Sequence, residues 1–156
     1  MKINLVAVGT KMPAWVVEGY EEYSKRLPRE CQLQLIEITP AKRGKNAQAE
    51  QWKKEEAARI LSVIPDNHHV IALEVTGKNW STETLAEQMQ GWLSDGRDVS
   101  LMVGGPDGLD TTCLARSEQK WSLSAMTLPH PLVRIVLAEQ LYRAWTILQN
   151  HPYHRS

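Results

Sequence analysis

Residues 121–131 read WSLSAMTLPHP and lead directly into residues 132–149, LVRIVLAEQLYRAWTILQ. Residues 123–128 mix Leu, Met and Thr with small Ser and Ala side chains, which predicts a strand whose backbone a flat ligand can approach. Pro129 and Pro131 bracket His130 and favour an extended turn, because a residue that precedes proline is disfavoured in the helical region. Residues 132–149 predict a long helix whose apolar side chains cover more than one stripe. We therefore expect a second copy of the chain to bury part of that helix.

The length and composition limit what kind of protein this chain can be. The chain has 156 residues, and we expect a single domain over residues 1–156. Its 18 basic and 18 acidic residues balance, so the chain has no net positive charge to attract a polyanion. A polyanion would have to bind a local basic patch. Cys31 and Cys113 form neither a disulfide framework nor a zinc motif. The apolar run at residues 3–8 is too short for a signal peptide or a membrane span, and we expect a cytoplasmic protein with no membrane contact.

Strand-like apolar runs alternate with helical periodicity along the whole chain. The predicted strands cover residues 3–8, 33–39, 70–75, 99–103 and 123–128, and the predicted helices cover residues 14–27, 47–64, 82–93, 111–117 and 132–149. This alternation predicts an α/β fold with a mostly parallel sheet and helices on both faces. In such sheets ligands bind beyond the carboxyl ends of the strands. Residues 73–77, 104–108 and 123–130 should therefore lie close together.

A glycine-rich loop, Gly104-Gly-Pro-Asp-Gly108, follows the fourth predicted strand. Glycines without side chains let the backbone approach a ligand closely. Their spacing is not that of a dinucleotide-binding loop, and the Gly-Lys-Ser/Thr sequence of a triphosphate site is missing. The loop suits a nucleoside ligand without phosphates, and a tight Pro-Asp-Gly turn with no ligand is the other interpretation of its composition.

The C-terminal sequence HPYHRS (151–156) places His151 and His154 three residues apart, a spacing that is found in some metal sites. Cys, Asp and Glu are missing from the neighbouring sequence, so we expect no metal there. One interpretation is a polar cluster that contacts substrate or handles a proton. The other is a frayed terminus.

Basic side chains stand out in one predicted loop. Lys42, Arg43 and Lys45 are followed by Lys53 and Lys54. These residues suit contact with phosphates, and a solvated loop is the alternative interpretation.

Two arginines lie on the long predicted helix. Arg143 follows Glu139 by four residues, which predicts an ion pair along the helix. Arg134 interrupts an apolar surface and needs a partner, which we expect across an interface between copies of the chain.

Several motifs together resemble one known family. They are KINLVAVGTKMPAWV (2–16), KRGKN (42–46), VSLMVGGPDGL (99–109), WSLSAMTLPHPLVRIVLAEQLYRAW (121–145) and NHPYHR (150–155). They resemble the small bacterial methyltransferases of the SPOUT class that modify N3 of a pseudouridine in large-subunit ribosomal RNA. The resemblance spans essentially the whole chain. It implies an alpha-beta knot fold whose C-terminal segment forms a trefoil knot, an exception to the rule that chains do not thread loops.

The resemblance also implies a cofactor and an assembly state. S-adenosylmethionine would lie in the knot, and the family is homodimeric. Matched motif by motif, the cofactor contacts would be Leu73, Gly104, Leu123, Ser124, Ala125, Met126, Thr127 and Leu128.

The function that the resemblance implies is methyl transfer to a pseudouridine N3 in a hairpin loop of ribosomal RNA, on the assembled ribosome. Alignment of nitrogen, methyl and sulfur and handling of the N3 proton are the main tasks of such an enzyme. The candidate catalytic residues, set against the cofactor of the other protomer, are Arg143, Tyr153, His154 and Arg155. A ribosome-binding or assembly factor without catalysis is the alternative, and the glycine pair at 104–105 and the run at 123–128 argue against it.

Overall fold

The computed structural model describes residues 1–44 and 48–155. The strands are β1 (Lys2–Val8), β2 (Gln32–Ile38), β3 (His69–Asn79), β4 (Val99–Val103) and β5 (Gln119–Ser122). The helices are α1 (Ala14–Ser24), α2 (Ala49–Ser62), α3 (Thr82–Asp95), α4 (Thr111–Arg116) and α5 (His130–Leu148), with a short 3₁₀ turn at Arg29–Cys31. Three features of the sequence analysis lie outside the described residues: the predicted start of a helix at residue 47, Lys45 of the basic loop and the last residue of the tail.

The five strands form one parallel sheet in the order β2-β1-β4-β3-β5. Successive side chains of a strand point to opposite faces of the sheet. Accordingly Ile3 and Leu5 of β1 join the core beneath α1, α3 and α5, whereas Val6 joins the core beneath α2 and α4. The predicted α/β fold with a parallel sheet is confirmed.

The predicted strand at residues 123–128 is wrong. The last strand is Gln119–Ser122, and residues 123–129 form an irregular segment at its carboxyl end. Local hydrogen bonds compete with strand pairing here. The Ser122 hydroxyl donates to the Ser124 carbonyl at 3.0 Å, and the Met126 N–H donates to Ser124 Oγ at 2.9 Å.

The pairing of β3 with β5 is interrupted next to this segment. Trp121 is in register with both Leu73 and Lys78, so residues 74–77 bulge out of the ladder. Gly77 makes the bulge possible, because a Cβ there would lie 2.6 Å from the carbonyl carbon of Lys120. The bulge carries Glu74 and Val75 towards the segment that follows β5.

The long helix α5 is partly covered by its own chain. It packs beside α1 and α3, and Gly19 of α1 lets Ile135 approach so closely that a Cβ at residue 19 would lie 2.8 Å from Ile135 Cδ1. Leu137 and Leu141 are fully buried in this core. Neighbours within the chain therefore bury one side of α5, while Leu132 is exposed and Val136 and Trp145 are half-buried. Burial of these side chains by a second copy stays a prediction.

Arg134 also finds its partners within the chain, so the expected partner across an interface is wrong. The side chain is 2% exposed. It donates to Glu37 Oε2 at 2.8 Å and to the Gly9 carbonyl at 2.9 Å. This contact ties the ends of β1 and β2 to the first turn of α5.

None of the helices in the described part of the chain is long and apolar enough to cross a membrane.

Candidate active site

A cavity of about 600 Å³ opens at the carboxyl end of β4, beside the bulge in β3. Its walls come from the β3 bulge, the loop after β4, the segment after β5 and the first turn of α5. The lining residues are Leu73, Glu74, Val75, Val103, Gly104, Gly105, Pro106, Gly108, Trp121, Ser122, Leu123, Ser124, Met126, Thr127, Leu128, Pro129, His130 and Val133. The three segments predicted to converge, residues 73–77, 104–108 and 123–130, therefore all contribute to one cavity.

The residues matched to cofactor contacts lie mostly in this wall. Leu73, Gly104 and five residues of the 123–128 segment line the cavity, whereas Ala125 is exposed and does not. Parallel pairing brings these residues together, because β4 ends level with the β3 bulge and β5 pairs with β3 on either side of that bulge.

The glycine loop, residues 104–108, is both a tight turn and a cavity wall. The Gly108 N–H donates to the Gly105 carbonyl at 3.0 Å, and Gly108 has a φ of +82°, which favours glycine. A Cβ on Gly104 would lie 2.6 Å from the Gly108 carbonyl carbon. A side chain at residue 104 would thus break the turn before it met any ligand, so substitutions there do not test binding.

His130 is a cavity residue that the sequence-based list of catalytic candidates misses. Burial lowers the pKa of its imidazole, and the nearby Arg134 guanidinium lowers it further, while Glu56 acts in the opposite direction. The ring is therefore neutral at pH 7. Its Nδ1 atom is buried and has no hydrogen-bond partner among the described residues. The Pro-His-Pro sequence is the signal that could have identified it.

The C-terminal residues fold back on α5 and form what we call the tail cluster: Glu139, Arg143, Tyr153 and His154. Glu139 Oε1 accepts from Arg143 Nε at 2.8 Å and from the Tyr153 hydroxyl at 3.1 Å. His154 lies with Nδ1 3.3 Å from Arg143 and Nε2 3.0 Å from Glu83 of α3. The predicted Glu139–Arg143 pair is confirmed, and the frayed terminus is wrong for these residues.

The tail cluster presents a cation and a protonated phenol. The hydrogen bond to Glu139 raises the pKa of Arg143, and burial, together with the Glu139 carboxylate, raises the pKa of Tyr153. The Arg143 guanidinium carbon lies 4.7 Å from the centre of the Tyr153 ring. Tyr153 therefore donates a hydrogen bond and offers a ring for stacking, and it is no base near neutrality. Arg155 is exposed at the end of the described chain.

The tail cluster lies far from the cavity of its own chain. Arg143 follows His130 by thirteen residues on one helix, a rise of about 20 Å at 1.5 Å per residue. One copy of the chain therefore does not bring the cavity and the predicted catalytic residues together.

The basic loop is only partly available to phosphates. Arg43 pairs with Asp107 Oδ2 at 2.8 Å, so its guanidinium is engaged within the chain. Lys42 and Lys54 are exposed, and Lys53 is half-buried.

Metal ligands do not assemble in the part of the chain that the structure describes, where no three His, Cys, Asp or Glu side chains are grouped for an ion. His151 Nδ1 instead accepts the N–H of Tyr153 at 3.1 Å.

Comparison with known proteins yields full-length relatives. A protein of Hahella chejuensis named "Ribosomal RNA large subunit methyltransferase H" is 60% identical over 155 residues, which are 99% of both chains. A protein of the same name from Methylococcus capsulatus is 57% identical and matches 99% of this chain and 100% of its own.

One similar solved structure is that of a probable methylase family protein from Haemophilus influenzae. The alignment covers 99% of this chain and 70% of that chain, with a TM-score of 0.59 and 12% sequence identity. This likeness supports the fold alone. The family model described as "Predicted SPOUT methyltransferase" matches residues 1–154. With this match and these relatives, the chain belongs to the SPOUT methyltransferase family.

Proposed function

We propose that this protein uses S-adenosylmethionine to methylate N3 of a pseudouridine in a hairpin loop of large-subunit ribosomal RNA, and that it acts as a homodimer on the assembled ribosome. The relatives named as large-subunit ribosomal RNA methyltransferases support the reaction class and the RNA. The observation that carries the proposal is the convergence of the β3 bulge and the ends of β4 and β5 on one cavity beside a neutral histidine.

The cavity fits the cofactor's chemistry. S-adenosylmethionine carries no phosphate, and the cavity has apolar walls and glycine backbone rather than a phosphate-binding loop. Leu73, Gly104 and residues 123–128 would hold it. When bound, it supplies a methyl group on a sulfonium, which is a good leaving group. The family's C-terminal trefoil knot would enclose this same region.

The chain must then align the acceptor nitrogen and remove its proton. His130 lines the cavity as a neutral imidazole, so it would accept a proton from the target base or hold that base by a hydrogen bond. The cavity walls restrict the orientation of the reacting groups, which lowers the entropic part of the barrier.

The tail of a second protomer would complete the site. Arg143 and Arg155 supply cations for RNA phosphates or for charge that develops at N3, and the Tyr153 ring offers a surface for stacking a base. His154 adds a group suited to proton handling. Because the tail cluster is about 20 Å along α5 from its own cavity, the dimer is the arrangement that combines both parts.

The alternative, a ribosome-binding or assembly factor without catalysis, would not need a formed cofactor cavity. The cavity, with its glycine loop and neutral histidine, favours the enzyme.

Filling the cavity should weaken cofactor binding. Thr127 is exposed at the cavity wall, so Thr127→Trp should fold and yet block the ligand, with at least a tenfold loss of S-adenosylmethionine affinity in calorimetry, about the effect of losing 1.4 kcal/mol. Thr111→Trp, at an exposed position on α4 away from the cavity, is the matched control and should bind normally. Equal affinity of the two variants would mean that the cofactor binds elsewhere.

Removing the tail should separate binding from transfer. Deletion of residues 151–156 leaves the cavity intact, so S-adenosylmethionine affinity should stay near normal. Methyl transfer to ribosomes should fall about a hundredfold or more, the low end for losing acid–base assistance. Full-rate transfer by the truncated protein would show that the tail has no part in the reaction.

The pH dependence of transfer should report His130. Its pKa is below the ordinary value, so the imidazole stays neutral as the pH falls to about 6.5, the ordinary histidine value, and protonation slows transfer only below that. His130→Gln keeps a polar side chain and should lower the rate about a hundredfold at saturating cofactor. It should also remove the acidic limb of the profile measured on ribosomes. A variant with the unmutated rate and the same acidic limb would exclude His130.

A further inference from the structure

Arg43 links the segment after β2 to the glycine loop. We propose that Arg43 is a positioning residue that, through Asp107, holds residues 104–108 in the shape that receives the cofactor. The inference rests on the proposed function, because it assumes that the cavity is the cofactor site.

Arg43 is at the centre of four contacts. One terminal nitrogen lies 2.8 Å from Asp107 Oδ2, and the other lies 3.6 Å from Glu56 Oε2. That second nitrogen also donates to the Ala41 carbonyl at 3.4 Å. The guanidinium carbon lies 5.0 Å from the centre of the Trp52 ring. A planar guanidinium can serve several acceptors and an aromatic face at once, which a lysine cannot.

The α2 side of this arrangement fixes the guanidinium. Glu56 is 2% exposed, and its Oε2 also accepts the N–H of Ala41 at 3.1 Å. Its other oxygen has no hydrogen-bond partner among the described residues. Within the described part of the chain Arg43 is the one cation paired with Glu56, so its removal would leave this buried carboxylate without an ion-pair partner there, which is costly. Arg43 is thus held in place independently of Asp107 and can act as an anchor for it.

The glycine loop needs such an anchor. Three of its five residues are glycines, which lose the most conformational freedom on ordering. Asp107 does not line the cavity, but its neighbours Pro106 and Gly108 do. Fixing the side chain of Asp107 therefore orders the wall on both sides of it, and a wall that is already ordered binds with a smaller entropic cost.

A double-mutant cycle on ligand affinity tests this role, with S-adenosylhomocysteine as the calorimetric probe. Asn is as suitable as Asp in a turn, so Asp107→Asn removes the charge and keeps the turn and the Arg43–Glu56 contact. We expect Asp107→Asn to bind about fivefold more weakly with an unchanged melting temperature, a loss within the range for coupled neighbours. The variant that combines Arg43→Gln with Asp107→Asn should bind no more weakly than Arg43→Gln alone.

A matched ion pair provides the control. Arg97 lies 3.1 Å from Glu118 at the opposite edge of the sheet with similar exposure, so Arg97→Gln should leave affinity unchanged. The difference between the unmutated chain and Asp107→Asn should also shrink at high salt, which screens a half-exposed pair.

Two results would overturn the positioning role while leaving the cofactor site intact. One is that Asp107→Asn binds the probe as tightly as the unmutated chain. The other is that the affinity losses from Arg43→Gln and Asp107→Asn simply add in the combined variant. Absence of binding by the unmutated chain would contradict the proposed function and this inference together.

Discussion

The buried guanidinium of Arg134 joins the first turn of α5, which lines the cavity, to the ends of β1 and β2. Its contacts with Glu37 and with the Gly9 carbonyl hold the carboxyl ends of β2 and β1 against the first turn of α5. A guanidinium buried without such acceptors would carry an uncompensated charge, so the contact holds the first turn of α5 in place against the ends of β1 and β2. His130 and Val133 consequently lie in the cavity wall, and the opposite end of α5 carries the tail cluster.

The order of strands and helices is predictable from sequence because the central strands are buried on both faces and are therefore mostly apolar. All five residues of β4 are buried, for example. Parallel order then places the carboxyl ends of the strands on one edge, which is enough to predict that the glycine loop and residues 123–130 meet. The Glu139–Arg143 pair is predictable as well, since it depends only on helical spacing.

Other features depend on contacts that a single sequence does not reveal. Glu37, the partner of Arg134, is 97 residues away in the chain. The packing of α1 against α5 depends on Gly19, because a side chain at that position would clash with Ile135. The end of β5 is decided by hydrogen bonds of Ser122 and Ser124, which compete with the strand ladder. The importance of His130 emerges only when its burial and missing partner are known.

The central claim is that one site combines the cavity of one protomer with the tail of its partner. Co-expression of the Thr127→Trp chain with the chain lacking residues 151–156, each with its own tag, allows purification of the mixed dimer. That dimer holds one intact cavity facing one intact tail. It should therefore transfer methyl groups to ribosomes at about half the rate of the unmutated dimer, since one of two equivalent sites is complete. A mixed dimer as inactive as either variant alone would contradict the claim.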